Sequence, residues 1–155
     1  LLRRSKPMIA ALNGPAIGGG AELAVACDYR ISKPEPSIQF KQVHMGVTTS
    51  WGTAARLREL VGNGLAARLL FGLVVTRATD YFDHGLVDEA SDDPKRLAFE
   101  RGHQIASAPA SAIAAMKRLL RAGGDVRGLE RELFVETWSS DEHRAAVEAW
   151  FARRG

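Results

Sequence analysis

Short apolar runs punctuated by glycine and proline fill the first third of the chain, and amphipathic stretches with helical spacing fill the rest. Leu1-Leu2-Arg3-Arg4-Ser5-Lys6 reads as the last turn of a helix halted before Pro7, with cations where the helix dipole favours them. Met8-Ile9-Ala10-Ala11-Leu12 is closed by Asn13-Gly14-Pro15, which predicts a buried strand entering a turn. Gly18-Gly19-Gly20 then opens a helix over 21–27 whose small residues suit close packing. Residues 28–32 alternate as a strand, Lys33-Pro34-Glu35-Pro36 forces a turn, and Ile38-Gln39-Phe40 predicts a second short strand. From Lys41 to Gly52 the pattern is lost, and a long irregular stretch inside a compact domain usually carries function.

Beyond Gly52 the periodicity is helical. Helices are predicted over 54–61 and 65–71, split by Gly62-Asn63-Gly64, and over 76–84, closed by Gly85 with 86–89 extended. Amphipathic helices follow over 95–108, 110–122, 128–139 and 141–153, broken by Pro109 and Gly123-Gly124, with Asp141 as the expected N-cap of the last. The expected layout is an α/β part over 1–90, βαββ-like at its start, and a helical part over 91–155.

At 155 residues the chain has the length of one ordinary domain, and 46% hydrophobic with 25% charged residues is a globular composition rather than a disordered one. No apolar run is long enough to predict a membrane helix. The single cysteine, Cys27, leaves no internal disulfide framework or cysteine-rich zinc site and fits a reducing, cytoplasmic compartment. The net charge of +3 is uneven: residues 1–72 carry nine Lys or Arg against four Asp or Glu. That excess suits a phosphorylated ligand. Scattered basic residues and 7% aromatics argue against nucleic acid as the partner.

The segment Asn13-Gly14-Pro15-Ala16-Ile17-Gly18-Gly19-Gly20-Ala21-Glu22-Leu23 is the strongest local feature. Three glycines between a strand and a helix let backbone amides approach a ligand closely, at the helix end where the dipole is positive. No Lys-Ser or Lys-Thr follows and no G-x-G-x-x-G spacing is present, so neither nucleotide pattern is met. A plain strand-to-helix turn remains the competing reading of the glycines. For Glu22 the competing reading is an acidic residue complementing the helix dipole.

Lys6-Pro7-Met8-Ile9-Ala10-Ala11-Leu12-Asn13-Gly14, then Ile17-Gly18-Gly19-Gly20-Ala21-Glu22-Leu23-Ala24, then Cys27-Asp28-Tyr29-Arg30 resembles the crotonase (enoyl-CoA hydratase/isomerase) superfamily. The likeness continues through Phe40, Gly46, Trp51-Gly52, Arg56-Leu57, Val61-Gly62 and Gly85-Leu86-Val87-Asp88. It implies a crotonase-like ββα spiral with a C-terminal helical region, short of the family's N-terminal part. It also implies an acyl-CoA thioester as partner, with the thioester oxygen held between two backbone amides. Gly19 would supply the second amide, flanked by Gly18 and Gly20; the first would lie outside this chain. A single such donor is worth ~2.7–4 kcal/mol of barrier.

The same resemblance places a catalytic glutamate at Glu22, while the position of the hydratases' second glutamate is Gln42 here. Hydration needs two proton-handling groups, and a glutamine cannot be one. His44 is the nearest titratable side chain to that position. The run through His44-Met45-Gly46 and Ser50-Trp51-Gly52 is most similar to the ethylmalonyl-CoA and methylmalonyl-CoA decarboxylase branch. Loss of CO2 from a malonyl-type thioester yields the enolate directly, so oxyanion donors, a desolvating seat and one acid suffice. Val47 and Trp51 are candidates for that seat and Thr49 or Ser50 for orienting the carboxylate, with Trp51 as plain core the alternative.

The expected protein is thus an acyl-CoA lyase, a decarboxylase ahead of a hydratase or isomerase, with Gly19, Glu22 and His44 as its catalytic residues. No metal and no cofactor of its own is expected, because coenzyme A travels with the substrate. A homotrimer or hexamer, or a second chain supplying the missing amide, is the expected assembly. The reading from another class is a non-catalytic CoA-binding subunit or pseudoenzyme completing a partner's site.

Overall fold

The computed structural model describes residues 5–34, 37–73, 76–77, 82 and 84–153. By packing, the described residues divide into one unit from Met8 to Arg101 and a second from Gly102 onward together with residues 5–7. The first unit contains every strand among the described residues.

Strand β1 (Ile9–Leu12) and β3 (Tyr29–Ser32) pair in parallel with Ile9 opposite Tyr29 and Leu12 opposite Ser32, and β6 (Glu89–Ala90) adds to β3 in parallel. A second sheet places β2 (Ala16–Ile17) parallel to β4 (Ser37–Gln39), with β5 (Thr76–Arg77) antiparallel on β4. Parallel pairing requires a crossover, and the helix α1 (Gly19–Ala26) lies between β2 and β3 in the chain. Ala21, Ala24, Val25 and Ala26 are buried along α1, so the helix sits deep because its side chains are small. It packs against β2 and against α2 (Thr53–Leu70) around Ile38, Phe40, Leu57 and Leu69.

Expectation and structure differ at several elements. The strand β2 is two residues long, too short to leave a periodic trace. The two helices expected over 54–61 and 65–71 are one element, α2, interrupted only at Gly62, whose φ of 75° and ψ of 163° suit glycine alone. The helix expected over 76–84 begins instead with β5: Thr76 and Arg77 meet the edge of β4, a tertiary pairing that overrides local pattern. Residues 78–81 and 83 of that expectation lie outside the described residues, as do residues 1–4 of the expected N-terminal helical turn.

A 3₁₀ turn, Val43–Met45, interrupts the stretch read as a loop. In the second unit, α4 (Ala110–Arg121), α5 (Arg127–Trp138) and α6 (Asp141–Ala152) follow α3 (Pro94–Ala106), which runs from the first unit into the second. Ser140, not Asp141, caps α6: its hydroxyl accepts from the His143 amide at 3.1 Å, which moves Asp141 onto the first turn. The buried Lys117 of α4 donates its ammonium to the Lys6 carbonyl at 2.7 Å.

Candidate functional site

The glycine loop sets the geometry. Gly18 has φ 55° and ψ −117°, a conformation closed to L-residues with side chains, and it is the N-cap of α1. Its amide donates to the Gln39 carbonyl at 2.8 Å and its carbonyl accepts from the Glu22 amide at 3.1 Å. The sharp turn therefore joins β4 to the first turn of α1 and leaves the next amides outside any strand or helix ladder. Among the described residues the amides of Gly19 and Gly20 meet no acceptor. A methyl group added to either would contact no atom within 4 Å, so open space lies beside both.

Glu22, 4% exposed, stands on that first turn. One carboxylate oxygen, Oε1, accepts from the Gln42 side-chain amide. The other, Oε2, accepts from the Ser50 amide at 2.9 Å, the Ser50 hydroxyl at 3.1 Å and the Thr53 hydroxyl at 3.0 Å. Burial is the largest single influence and pushes the carboxyl up. The four donors, led by the Ser50 amide, more than offset it and hold Glu22 below the ordinary carboxylate range. Among the described residues no cation contacts Glu22, so its charge is held by neutral dipoles alone. The placement on the first turn of α1, against the first residue of α2, adds the positive ends of two helices.

Glu22, Gln42 and Ser50, expected at the site, are thus brought together. Gln42 precedes the Val43–Met45 turn, and its carbonyl accepts from Met45 and Val47 amides, which fixes the backbone behind its side chain. The Gln42 Oε1 atom is buried with no donor facing it among the described residues, because the amide must present Nε2 to an ionised Glu22. Val47 is exposed, and Thr49 is half-buried with its carbonyl accepting from the Thr48 hydroxyl. Trp51 is 57% exposed, which removes its reading as plain core. His44 is also exposed and its ring lies against Gly72, where a methyl group would collide with Nε2; it bonds neither to Glu22 nor to the three residues that donate to it.

Thr53 is the residue that sequence reasoning missed. A threonine at the first position of a helix, three residues beyond Ser50, is the signal it carried. Cys27 is buried, as expected of a small apolar side chain. Among the described residues no group of His, Cys, Asp and Glu is arranged to hold a metal ion, and no helix is long and apolar enough to cross a membrane.

Amides that meet no acceptor among the described residues thus open the helix, a turn that only glycine adopts precedes them, and a buried carboxylate held by neutral donors stands one turn on. Residues 1–155 match the family model for enoyl-CoA hydratase/isomerase, and the chain belongs to that family. It is 33% identical over 147 residues to the ethylmalonyl-CoA decarboxylase of Homo sapiens, covering 92% of this chain and 46% of that protein. It is 31% identical over 156 residues to the short-chain-enoyl-CoA hydratase of Clostridium acetobutylicum, covering 96% of this chain and 60% of that protein. An enoyl-CoA hydratase from Bacillus anthracis superposes with a TM-score of 0.91 at 26% identity, over 98% of this chain and 62% of that one. The chain spans about half the length of the curated relatives it matches.

Proposed function

We propose that this chain carries the core of an acyl-CoA lyase that stabilises a thioester enolate, and that its reaction is decarboxylation of a short alkylmalonyl-CoA. The observation that carries this reading is the Glu22–Gln42 pair: one carboxylate kept ionised by four donors beside an amide that cannot titrate. Hydration asks for two groups that exchange protons, and this pair offers one, tuned away from protonation. Decarboxylation asks for neither. The bond between C2 and the carboxylate breaks, CO2 leaves, and the electron pair moves into the thioester to form an enolate. The Gly19 amide donates to the enolate oxygen, and C2 then takes a proton to give the acyl-CoA. His44 or a residue outside this chain supplies that proton.

Enoyl-CoA hydration or isomerisation, with Glu22 as the sole acid and base, is the second reading, supported by the similarity to proteins named as hydratases. Assay of ethylmalonyl-CoA, methylmalonyl-CoA and crotonyl-CoA separates the two. CO2 release is expected from the malonyl thioesters, and Glu22→Gln is expected to keep it within about 10-fold. A hydratase would lose roughly 10²–10⁴-fold on removal of its only acid–base group. Water addition without CO2 release refutes the decarboxylase, and a chain silent on all three thioesters supports a CoA-binding subunit.

A further inference from the structure

Trp51 has a φ of 54°, and it is the one non-glycine residue with a positive φ among those described. A bulky side chain in the left-handed region is costly, and glycine would occupy the position freely. The neighbouring Gly52 is left-handed as well, at φ 73°. The turn is held from both sides by Glu22: the Ser50 amide and hydroxyl donate to Oε2 on one side and the Thr53 hydroxyl on the other. Packing does not repay the strain, because the indole is 57% exposed and has no ring or hydrogen-bond partner among the described residues. Glycine would relieve the strain, and nothing among the described residues offsets it, which leaves the indole surface open to a further contact.

We infer that Trp51 is a specificity-determining residue whose indole meets the acyl group of the bound thioester and limits its length. The inference rests on the reading of Gly19 and Glu22 as an acyl-thioester site. An indole offers a large, rigid apolar surface, and its place on the turn anchored by Glu22 puts it one residue from a group that lies beside the glycine loop. Strain at such a position pre-organises the side chain before a ligand arrives.

Trp51→Gly and Trp51→Phe test this, with butyryl-CoA and octanoyl-CoA as calorimetric probes. The wild type is expected to bind butyryl-CoA more tightly than octanoyl-CoA. Trp51→Gly is expected to shift the ratio of the two dissociation constants toward octanoyl-CoA by about 10-fold, the size of discrimination an apolar pocket wall provides. Trp51→Phe should retain most of the preference. The thermal midpoint of Trp51→Gly should rise, because glycine relieves the left-handed strain. A lowered midpoint would assign the indole to stability, and a ratio changed less than about twofold would remove its role in selection. Failure to bind either thioester would also overturn the inference. Ethylmalonyl-CoA turnover is measured separately: chain-length selection without CO2 release sinks the decarboxylase and leaves Trp51 standing.

Discussion

Around Arg30 and Arg101, carboxylates meet guanidinium groups; among the described residues, the Glu22 carboxylate meets only neutral donors. Arg30 is 1% exposed and spends its guanidinium on the Leu86 carbonyl at 2.8 Å, the Cys27 carbonyl at 2.9 Å and Asp88 Oδ2 at 2.8 Å. Arg101 grips both oxygens of Glu89 at 2.7 and 2.6 Å, and the Tyr29 hydroxyl donates to the same carboxylate at 2.7 Å. The bonds from Arg101 hold Glu89 below its ordinary range, while burial first and the Glu89 contact second push the Tyr29 hydroxyl up to about 12. These pairs tie β3 to β6 and α3. Their charges cancel locally and project little field. Glu22 is buried more deeply, 4% exposed against 24% for the Asp88 and Glu89 side chains, and among the described residues no cation cancels its charge beside the amides of Gly19 and Gly20. On the proposed function, the cation-paired carboxylates serve the fold and the dipole-held Glu22 serves the ligand.

The largest effect should come from the structural side. Arg30→Met leaves the buried Leu86 and Cys27 carbonyls without that donor and the partly exposed Asp88 without its guanidinium, so unfolding free energy should fall by about 2–4 kcal/mol. Chemical denaturation measures it. A loss under ~1 kcal/mol would mean that the pair only breaks even with apolar packing, and the contrast with Glu22 would weaken.

Glu22→Gln should cost less, about 1–3 kcal/mol at neutral pH, because an amide cannot accept from donors on both sides. The pH dependence has a definite sign. A carboxyl lowered in the folded state contributes stability that is fully present above its unfolded value, near 4.5, and is lost as pH falls through the folded value. The gap between wild type and Glu22→Gln is therefore expected to be constant above pH 4.5 and to shrink below it. A gap that widens on acidification would mean a raised carboxyl, poised as a general acid, and would favour hydration.

Much of the site was readable before the fold. The apolar run at Ile9–Leu12, the glycine triplet and Glu22 one turn later lie within a few residues of each other, where strand, turn and helix chemistry are local. Ser50 and Gln42 were legible as polar residues in an irregular stretch. What joins them to Glu22 is contact over 20 to 31 residues of chain, which no periodicity encodes. The same limit hid β2 and turned Thr76 and Arg77 into an expected helix, because both strands exist only through pairing with β4. At the last helix two good caps stand side by side, and geometry alone chose Ser140 over Asp141.

Thr53 gives the finest division between the two regions. Its hydroxyl has one hydrogen and two acceptors in reach, Glu22 Oε2 at 3.0 Å and the Ser50 carbonyl at 2.7 Å. One proton cannot serve both, so the threonine shares its donation between holding the charge and closing the turn before α2. Thr53→Val keeps the volume and the branching while removing the donor, and should cost about 0.5–1.5 kcal/mol. The informative readout is the Glu22 carboxyl titration followed by NMR: with one donor gone it should move up toward the ordinary range. If the titration stays in place while stability falls, the proton belongs to the Ser50 carbonyl, and Ser50 with Gln42 suffices to hold the charge.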